Sequence, residues 1–288
     1  MSRVGFIGVG SQGGPMARRI VEGGYPLTLW ARRPQSLEPF GDTAAVAAST
    51  PAELGAASDV VGICVVADAD VEGVVLRPDG VLAGMAPGGV LAVHATIHPD
   101  TCRRLAEQAV GRGVAVVDAP VSGGGPAAAQ GKLLVMAGGD AEDVDRCRPV
   151  FETFGDPVVH LGPLGSGQMA KLLNNLVFTA QITLALDTFS FADRLEVDRA
   201  ALAQVLAHGS GGSRVAAILS ASGFDTTGMR QHAGVLRKDV GIMLDVARAA
   251  GAAEPASIVE LAQNALATLE SPPDAAAGQP AGGSDSRT

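Results

Sequence analysis

The sequence predicts an α/β protein. An N-terminal domain of alternating strands and helices covers residues 1–161, an all-α domain covers 162–270, and a tail covers 271–288. Three observations carry this prediction. Val4-Gly5-Phe6-Ile7, an apolar run that suits a buried parallel strand, leads directly into Gly8-Val9-Gly10-Ser11-Gln12-Gly13 and then a helical stretch from Pro15 to Val21. Short apolar runs alternating with helical patterns then recur as far as His160. Beyond Gly162 no convincing strand remains, and an apolar stretch without proline predicts a helix from Ser166 to Arg194.

The 288 residues allow a large core and two domains. A net charge of −9 argues against a broad nucleic-acid surface, although a local anion site needs only backbone N–H groups and a few arginines. Cys64, Cys102 and Cys147 are too scattered for a disulfide framework or a CxxC zinc site, which fits a reducing cytoplasm. The histidines (His94, His98, His160, His208 and His232) show no metal-ligand spacing. No charged and apolar leader opens the chain, and polar residues interrupt the apolar runs before about 20 residues accumulate, so no membrane association is expected.

Taken in order, the first element is GxGxxG in its strand–turn–helix context. Gly8 permits a tight turn, Gly10 a close approach to a pyrophosphate, and Gly13 close packing of the helix on the strand. The helix N-terminus adds unpaired N–H groups and a positive dipole end. The second strand, Leu27 to Trp30, ends in Ala31-Arg32-Arg33 rather than in the acidic residue that binds a ribose 2′-hydroxyl. A guanidinium grips a 2′-phosphate, so Arg32, with Arg33, argues for NADP, with NAD as the alternative. As a bare pattern the pair also reads as an exposed basic turn.

Thr50-Pro51-Ala52-Glu53 predicts a capping box. The strand Asp59 to Val66 ends at Val66-Ala67-Asp68, where a loop reaches a cofactor. The strand Val90 to Val93 ends near Thr96, at the crevice side of a parallel sheet. By position alone Thr96 either touches cofactor or substrate or caps the helix that starts at Pro99. The strand Val114 to Val117 leads to Ser122-Gly123-Gly124-Gly125, a loop whose N–H groups and hydroxyl can hold a carboxylate. Taken alone it reads equally as a flexible connection. Further strands are expected at Lys132–Ala137 and Asp156–Leu161, with a helix to about Phe154 between them. In the long helix Lys171 and Asn175 are four apart, hence on one face, as surface residues or as the polar lining of a cleft. Later helices are expected at 199–207, 214–220, 229–250 and 255–269. The charges around Arg237-Lys238-Asp239 suggest a solvated face, and the Pro/Ala/Gly/Ser tail has little to bury.

Four segments together resemble the β-hydroxyacid dehydrogenase family, which includes 3-hydroxyisobutyrate dehydrogenase and tartronate semialdehyde reductase. They are the glycine loop with Met16-Ala17, Asp118-Ala119-Pro120-Val121-Ser122-Gly123-Gly124, the set Gly165, Gly167, Lys171, Asn174 and Asn175, and Lys238-Asp239-Val240. The resemblance covers about residues 3–270. It implies a Rossmann domain followed by the all-α domain known from 6-phosphogluconate dehydrogenase, assembled into homodimers or homotetramers. It also implies an NAD(P)-dependent oxidoreductase acting on a small carboxylate-bearing hydroxy acid or semialdehyde. Lys171 would be the acid/base and Asn175 would orient the reacting oxygen. Ser122, Gly123 and Gly124, with Asn174, would hold substrate, while Thr96 and Lys238 would meet the cofactor. A lysine serves in both directions when burial beside an apolar helix face draws its pKa toward neutrality. Two positions depart from the pattern: His94-Ala95 replaces a small polar residue before Thr96, and Met229-Arg230-Gln231-His232 occupies a region that is often aromatic, leaving Arg230 or His232 to meet substrate or solvent. The alternatives are imine reduction on the same fold, against which Lys171 counts, and a non-catalytic NADP-binding module.

Overall fold

The computed structural model describes residues 1–271, so the tail expected over 271–288 lies, apart from Ser271, outside the described residues. Two compact units emerge: residues 1–175 with 241–253, and residues 176–240 with the chain from Glu254.

The first unit alternates strands and helices in the order β1 (Val4–Ile7), α1 (Gly13–Glu22), β2 (Leu27–Trp30), a 3-10 segment (Pro34–Phe40), β3 (Val46–Ala47), α2 (Pro51–Ala56), β4 (Val60–Ile63), α3 (Asp68–Val75), α4 (Val81–Gly84), β5 (Val90–Val93), α5 (Pro99–Val110) and β6 (Ala115–Asp118). These six strands form one parallel sheet in the order β3-β2-β1-β4-β5-β6, the doubly wound arrangement whose ligand crevice opens at the strands' carboxyl ends. Side chains alternate between two buried faces: Val4, Phe6, Val60, Val90 and Ala92 enter one core, and Ile7, Val61, Ile63, Leu91 and Val93 the other. Burial on both sides is why these runs are continuously apolar.

A second sheet follows, made of β7 (Val121–Ser122), β8 (Leu133–Ala137) and β9 (Gly155–His160), with α6 (Gly124–Ala129) and α7 (Ala141–Phe151) between them. β7 pairs antiparallel and β9 parallel to β8. The strands expected after residue 118 therefore form this separate sheet rather than widening the first. The loop expected after Ser122 is instead the end of β7 and the start of α6, with Gly123 (φ 134°) and Gly124 (φ 74°) in conformations that a side chain disfavours.

α8 (Ser166–Arg194) starts in the first unit and runs into the second. By length and composition it is long and apolar enough to cross a membrane, contrary to the expectation that polar residues interrupt every such run. Yet Gln168, Asn175 and Thr179 are buried polar residues along it, as suits a core helix. α9 (Arg199–His208), α10 (Arg214–Ala221), α11 (Thr227–Gln231), α12 (Ala233–Ala249) and α13 (Ala256–Glu270) complete the described helices. The single helix expected over 229–250 is broken at His232, whose Nδ1 bonds Gly228 O at 2.7 Å. The expected cap at Thr50 forms, with Thr50 Oγ1 accepting from Glu53 N at 3.1 Å, but the reciprocal bond of the box is displaced by one residue: Glu53 accepts from Ser49 N at 2.8 Å.

Candidate functional site

The glycine loop between β1 and α1 assigns a different constraint to each glycine. Gly8 has φ 97°, and a Cβ there would lie 2.1 Å from the Cys64 carbonyl oxygen. A Cβ on Gly13 would meet Gly8 O at 1.9 Å, so neither position accepts a side chain. Gly10 is different: no heavy atom lies within 4 Å of a Cβ built on it. That open side of Gly10, exposed beside Ser11 at the start of the ten-residue α1, is the space a pyrophosphate needs. Val9 and Gln12 flank it half-buried. The cradle fits a dinucleotide.

At the carboxyl end of β2, Arg32 and Arg33 are both exposed. Arg32 Nη1 lies 3.8 Å from Asp70 on α3, with 84% of its side chain exposed. This carboxylate arrives from 38 residues downstream and belongs to no sequence motif. Val66, 63% exposed, and Ala67, the residue that precedes α3, follow β4 at the same side of the sheet.

The loop after β5 is held from two directions. Asp68 Oδ1 accepts from His98 N at 2.9 Å and from Thr101 Oγ1 at 2.6 Å, tying the β4 and β5 loops together. His98, not Thr96, caps α5: its Nδ1 accepts from Asp100 N at 3.1 Å. Thr96 is half-buried between Ala95 and Ile97. Gln168 of α8 grips those two neighbours. Its Oε1 accepts from Ile97 N at 3.1 Å, and its Nε2 donates to Ala95 O at 2.8 Å.

α8 begins on a buried carboxylate. Asp118 closes β6; its Oδ1 accepts from Gly165 N at 2.7 Å and its Oδ2 from Gln168 N at 2.6 Å. Burial pushes this carboxyl above its ordinary value, while the hydrogen bonds from Gly165, Gln168 and Gly167 pull it back. The two glycines of the Lys171 segment follow from this junction. Gly165 has φ 95°, and a Cβ on Gly167 would sit 2.2 Å from Met136 O and 2.9 Å from Asp118 Oδ2. Lys171, half-buried, lies one turn beyond Gln168 on the same helix. Asn175 is buried and Asn174 exposed, with Asn174 Nδ2 donating to Asn175 Oδ1 at 3.1 Å. Ser122 is half-buried four residues after Asp118. The glycine run after it closes on the dinucleotide loop, because a Cβ on Gly125 would stand 2.5 Å from Ser11 O.

The first unit thus holds the glycine loop, Arg32, Arg33, Val66, Ala67, Thr96, the Ser122 segment, Lys171, Asn174 and Asn175. Lys238 belongs to the second unit, its Nζ 2.8 Å from Asp239 Oδ1. Asp239 is only 1% exposed, so this cluster is not the solvated face that its charges suggest; only Arg237, paired with Glu270, fits that description. Arg230 is occupied within its own unit, donating to Thr226 Oγ1 at 3.2 Å, to Leu269 O at 3.0 Å and to Ser271 O. Asp68, Asp118 and Gln168 carry no role in the sequence motifs, although Asp118 opens the Asp118–Gly124 segment; for Asp68 and Gln168 a polar residue ending or interrupting an apolar run was the signal.

His94 is a core residue. Its Nδ1 donates to Ala119 O at 2.8 Å, and Phe6, Phe151 and Phe154 surround its ring at centroid distances of 5.3–5.9 Å. Burial lowers its pKa to about 4. The unfolded chain, with an ordinary histidine, binds more protons than the native state between that value and about 6.5. Stability is therefore expected to fall as pH drops through this window, by about 3 kcal/mol at its acid end, and to be flat in this respect above it. His94→Asn should flatten the slope relative to wild type in urea melts across pH; parallel slopes would count against a buried neutral imidazole. Among the described residues no three of His, Cys, Asp or Glu cluster as a metal site, and burial pushes the Cys64 and Cys147 thiols up to about 12.

Comparison with known proteins agrees with this geometry. Residues 3–162 match the profile of the NAD-binding domain of 6-phosphogluconate dehydrogenase, and residues 165–279 that of the NAD-binding module of NADP-dependent 3-hydroxyisobutyrate dehydrogenase. The chain is 32% identical to an NAD-dependent L-serine dehydrogenase of Pseudomonas aeruginosa, over 88% of each protein. It is 33% identical to an L-threonate dehydrogenase of Cupriavidus necator, over 86% of this chain and 84% of that protein. A Mycobacterium tuberculosis 3-hydroxyisobutyrate dehydrogenase solved with L-serine superposes with a TM-score of 0.79 at 26% identity, covering 93% of this chain and 92% of that one. Two profiles that together span most of the chain, joined where α8 begins on Asp118, leave one assignment: the chain belongs to the β-hydroxyacid dehydrogenase family of NAD(P)-dependent oxidoreductases.

Proposed function

We propose that the protein transfers a hydride between NADP(H) and a small 3-hydroxy acid or its semialdehyde, with Lys171 as the general acid/base. The observation that carries this reading is the junction at Asp118. One carboxylate ends the strand leading to Ser122 and starts the helix bearing Lys171 and Asn175, while the glycine run after Ser122 abuts Ser11 of the dinucleotide loop. The dinucleotide supplies the hydride chemistry. Gly10 and the start of α1 receive its pyrophosphate, and Val66, Ala67 and Thr96 line its path along the strand ends; the Lys238-Asp239-Val240 motif assigns Lys238 to the cofactor as well. Ser122, Gly123 and Gly124 hold the substrate carboxylate with a hydroxyl and N–H groups, and Asn174 assists. Lys171 Nζ takes the hydroxyl proton in oxidation and returns it to the carbonyl oxygen in reduction, while Asn175 orients that oxygen. The substrates in the relatives' names, L-serine, L-threonate and 3-hydroxyisobutyrate, are hydroxy acids of this size.

We take residues 1–161 as the cofactor domain and 162–270 as the substrate and assembly domain. Val177, Leu184 and Phe191, spaced by seven along α8 and exposed, form an apolar stripe that suits a homodimer or homotetramer. Three free cysteines suit the cytoplasm. The test of the reaction is a panel with both cofactors, using L-serine, 3-hydroxyisobutyrate and L-threonate for oxidation and semialdehydes, glyoxylate and cyclic imines for reduction. Turnover confined to imines would replace the reading with imine reduction, and tight cofactor binding without any turnover would leave a binding module. Arg32→Asp is expected to weaken NADPH by about 10–100-fold, the loss of a charge-assisted contact, with NADH nearly unaffected; equal losses for both would overturn the NADP assignment.

A further inference from the structure

We infer that Gln168 is a positioning residue that fixes the cofactor-facing loop at Thr96 and the helix bearing Lys171 in one register. This rests on the assignment of Lys171 as acid/base. Gln168 is fully buried, and every polar group it offers in that direction is used. Its side chain bonds the peptide groups on either side of Thr96: the amide oxygen accepts from Ile97 N and the amide nitrogen donates to Ala95 O. A backbone N–H cannot accept and a carbonyl cannot donate, so these two partners also fix which way the amide points. The main-chain nitrogen of the same residue is bound to Asp118. One residue therefore joins the end of β5, the end of β6 and the first turn of α8, three residues before Lys171.

The consequence is geometric. Hydride transfer and proton transfer act on adjacent atoms of one substrate, so the loop that meets the nicotinamide side and the lysine that handles the proton must keep a fixed separation. Errors of about 1 Å in such placement cost on the order of 100-fold in rate. Nothing about Gln168 touches the reacting atoms. Its effect runs through Thr96 and Lys171, and it belongs in kcat more than in substrate KM. The side chain's chemistry is also specific. A glutamine donates and accepts at once, and a glutamic acid does the same only while its carboxyl is protonated. Ionised, it would set a negative oxygen against Ala95 O. The titratable groups beside this position are Asp118 and Cys102, the latter within hydrogen-bonding reach of Gln168.

The experiment uses Gln168→Met and Gln168→Glu in the full-length protein, with Lys171→Ala run in parallel. For Gln168→Met the expected results are a kcat about 10–100-fold lower for folded protein, a larger primary deuterium isotope effect with deuterated NADPH, and faster amide exchange of the segment 94–98 in the cofactor-free protein. Measured in the direction of oxidation, where Lys171 acts as base and wild-type kcat does not fall as pH rises, Gln168→Glu is expected to approach wild-type kcat at acid pH and to lose it as pH rises, since its carboxyl, kept protonated at low pH by burial, then ionises. Retention of kcat within twofold by folded Gln168→Met would overturn the inference. So would a loss explained wholly by unfolded protein, or a Gln168→Glu profile parallel to wild type; if Gln168→Met does not fold, the Gln168→Glu profile decides alone. Full activity in Lys171→Ala would instead remove the acid/base reading itself, so the two failures are distinct.

Discussion

Lys171→Met is expected to lower kcat by about 10²–10⁴-fold in both directions, the usual contribution of a positioned acid/base, while leaving the fold and cofactor binding in place. The expectation follows from where the residue stands. Lys171 is half-buried on the second turn of α8, past a first turn fixed by Asp118 and Gln168, so its side chain leaves a rigid element rather than a loop. Methionine keeps most of the apolar stem and removes only the ammonium, so packing changes little and the loss reports the proton. Because the missing group acts on the reacting oxygen and not on the carboxylate, KM for substrate should change much less than kcat. Stopped-flow single turnovers with bound NADPH would locate the loss in the chemical step. A kcat within tenfold of wild type, with folding and NADPH affinity intact, would transfer the acid/base role elsewhere.

The sequence made the first unit's skeleton readable because its strands are buried on both faces. Val4–Ile7, Val60–Ile63 and Val90–Val93 are apolar at every position, and turn residues bound each run. α8 was readable because glycines precede it and a largely apolar stretch without proline fills it. What the sequence did not carry was pairing at a distance. β3 and β7 are two residues long and exist because a neighbouring strand receives them, at Thr28–Leu29 and Leu134–Val135. The break at His232 depends on a side chain turning back to Gly228 O. At the candidate site, the residues that offer chemistry were visible as motifs, whereas the bonds by which others place them were not. Asp118 reaches positions 47 and 50 residues away, Gln168 reaches back 71 and 73, and Arg32 meets Asp70 only in the fold. A motif records that a polar residue is there and does not record what it bonds.

Asp118→Asn is expected to destabilise the first unit by about 3 kcal/mol and to cost activity as well, although no reacting atom touches Asp118. The two carboxylate oxygens accept from two different backbone donors, Gly165 N and Gln168 N. An asparagine has one acceptor oxygen, so one of those N–H groups would face an NH₂ donor in a site that is 0% exposed. A buried donor left without an acceptor costs about 1–3 kcal/mol, more where the lost partner was charged, and the favourable placement of a carboxylate at the N-terminus of α8 is lost with it. Relaxation offers little relief. A Cβ on Gly138 would lie 2.4 Å from Asp118 Oδ1 and one on Gly167 2.9 Å from Oδ2, which marks how closely backbone packs on both oxygens. The strain therefore passes into the first turn of α8, where Gln168 holds the Thr96 loop and Lys171 follows. Urea denaturation at neutral pH measures the first effect and kcat of the folded fraction the second. A shift below about 1 kcal/mol would mean that water or another acceptor satisfies the orphaned N–H; normal kcat in a clearly destabilised variant would mean that the start of α8 keeps its geometry without the carboxylate.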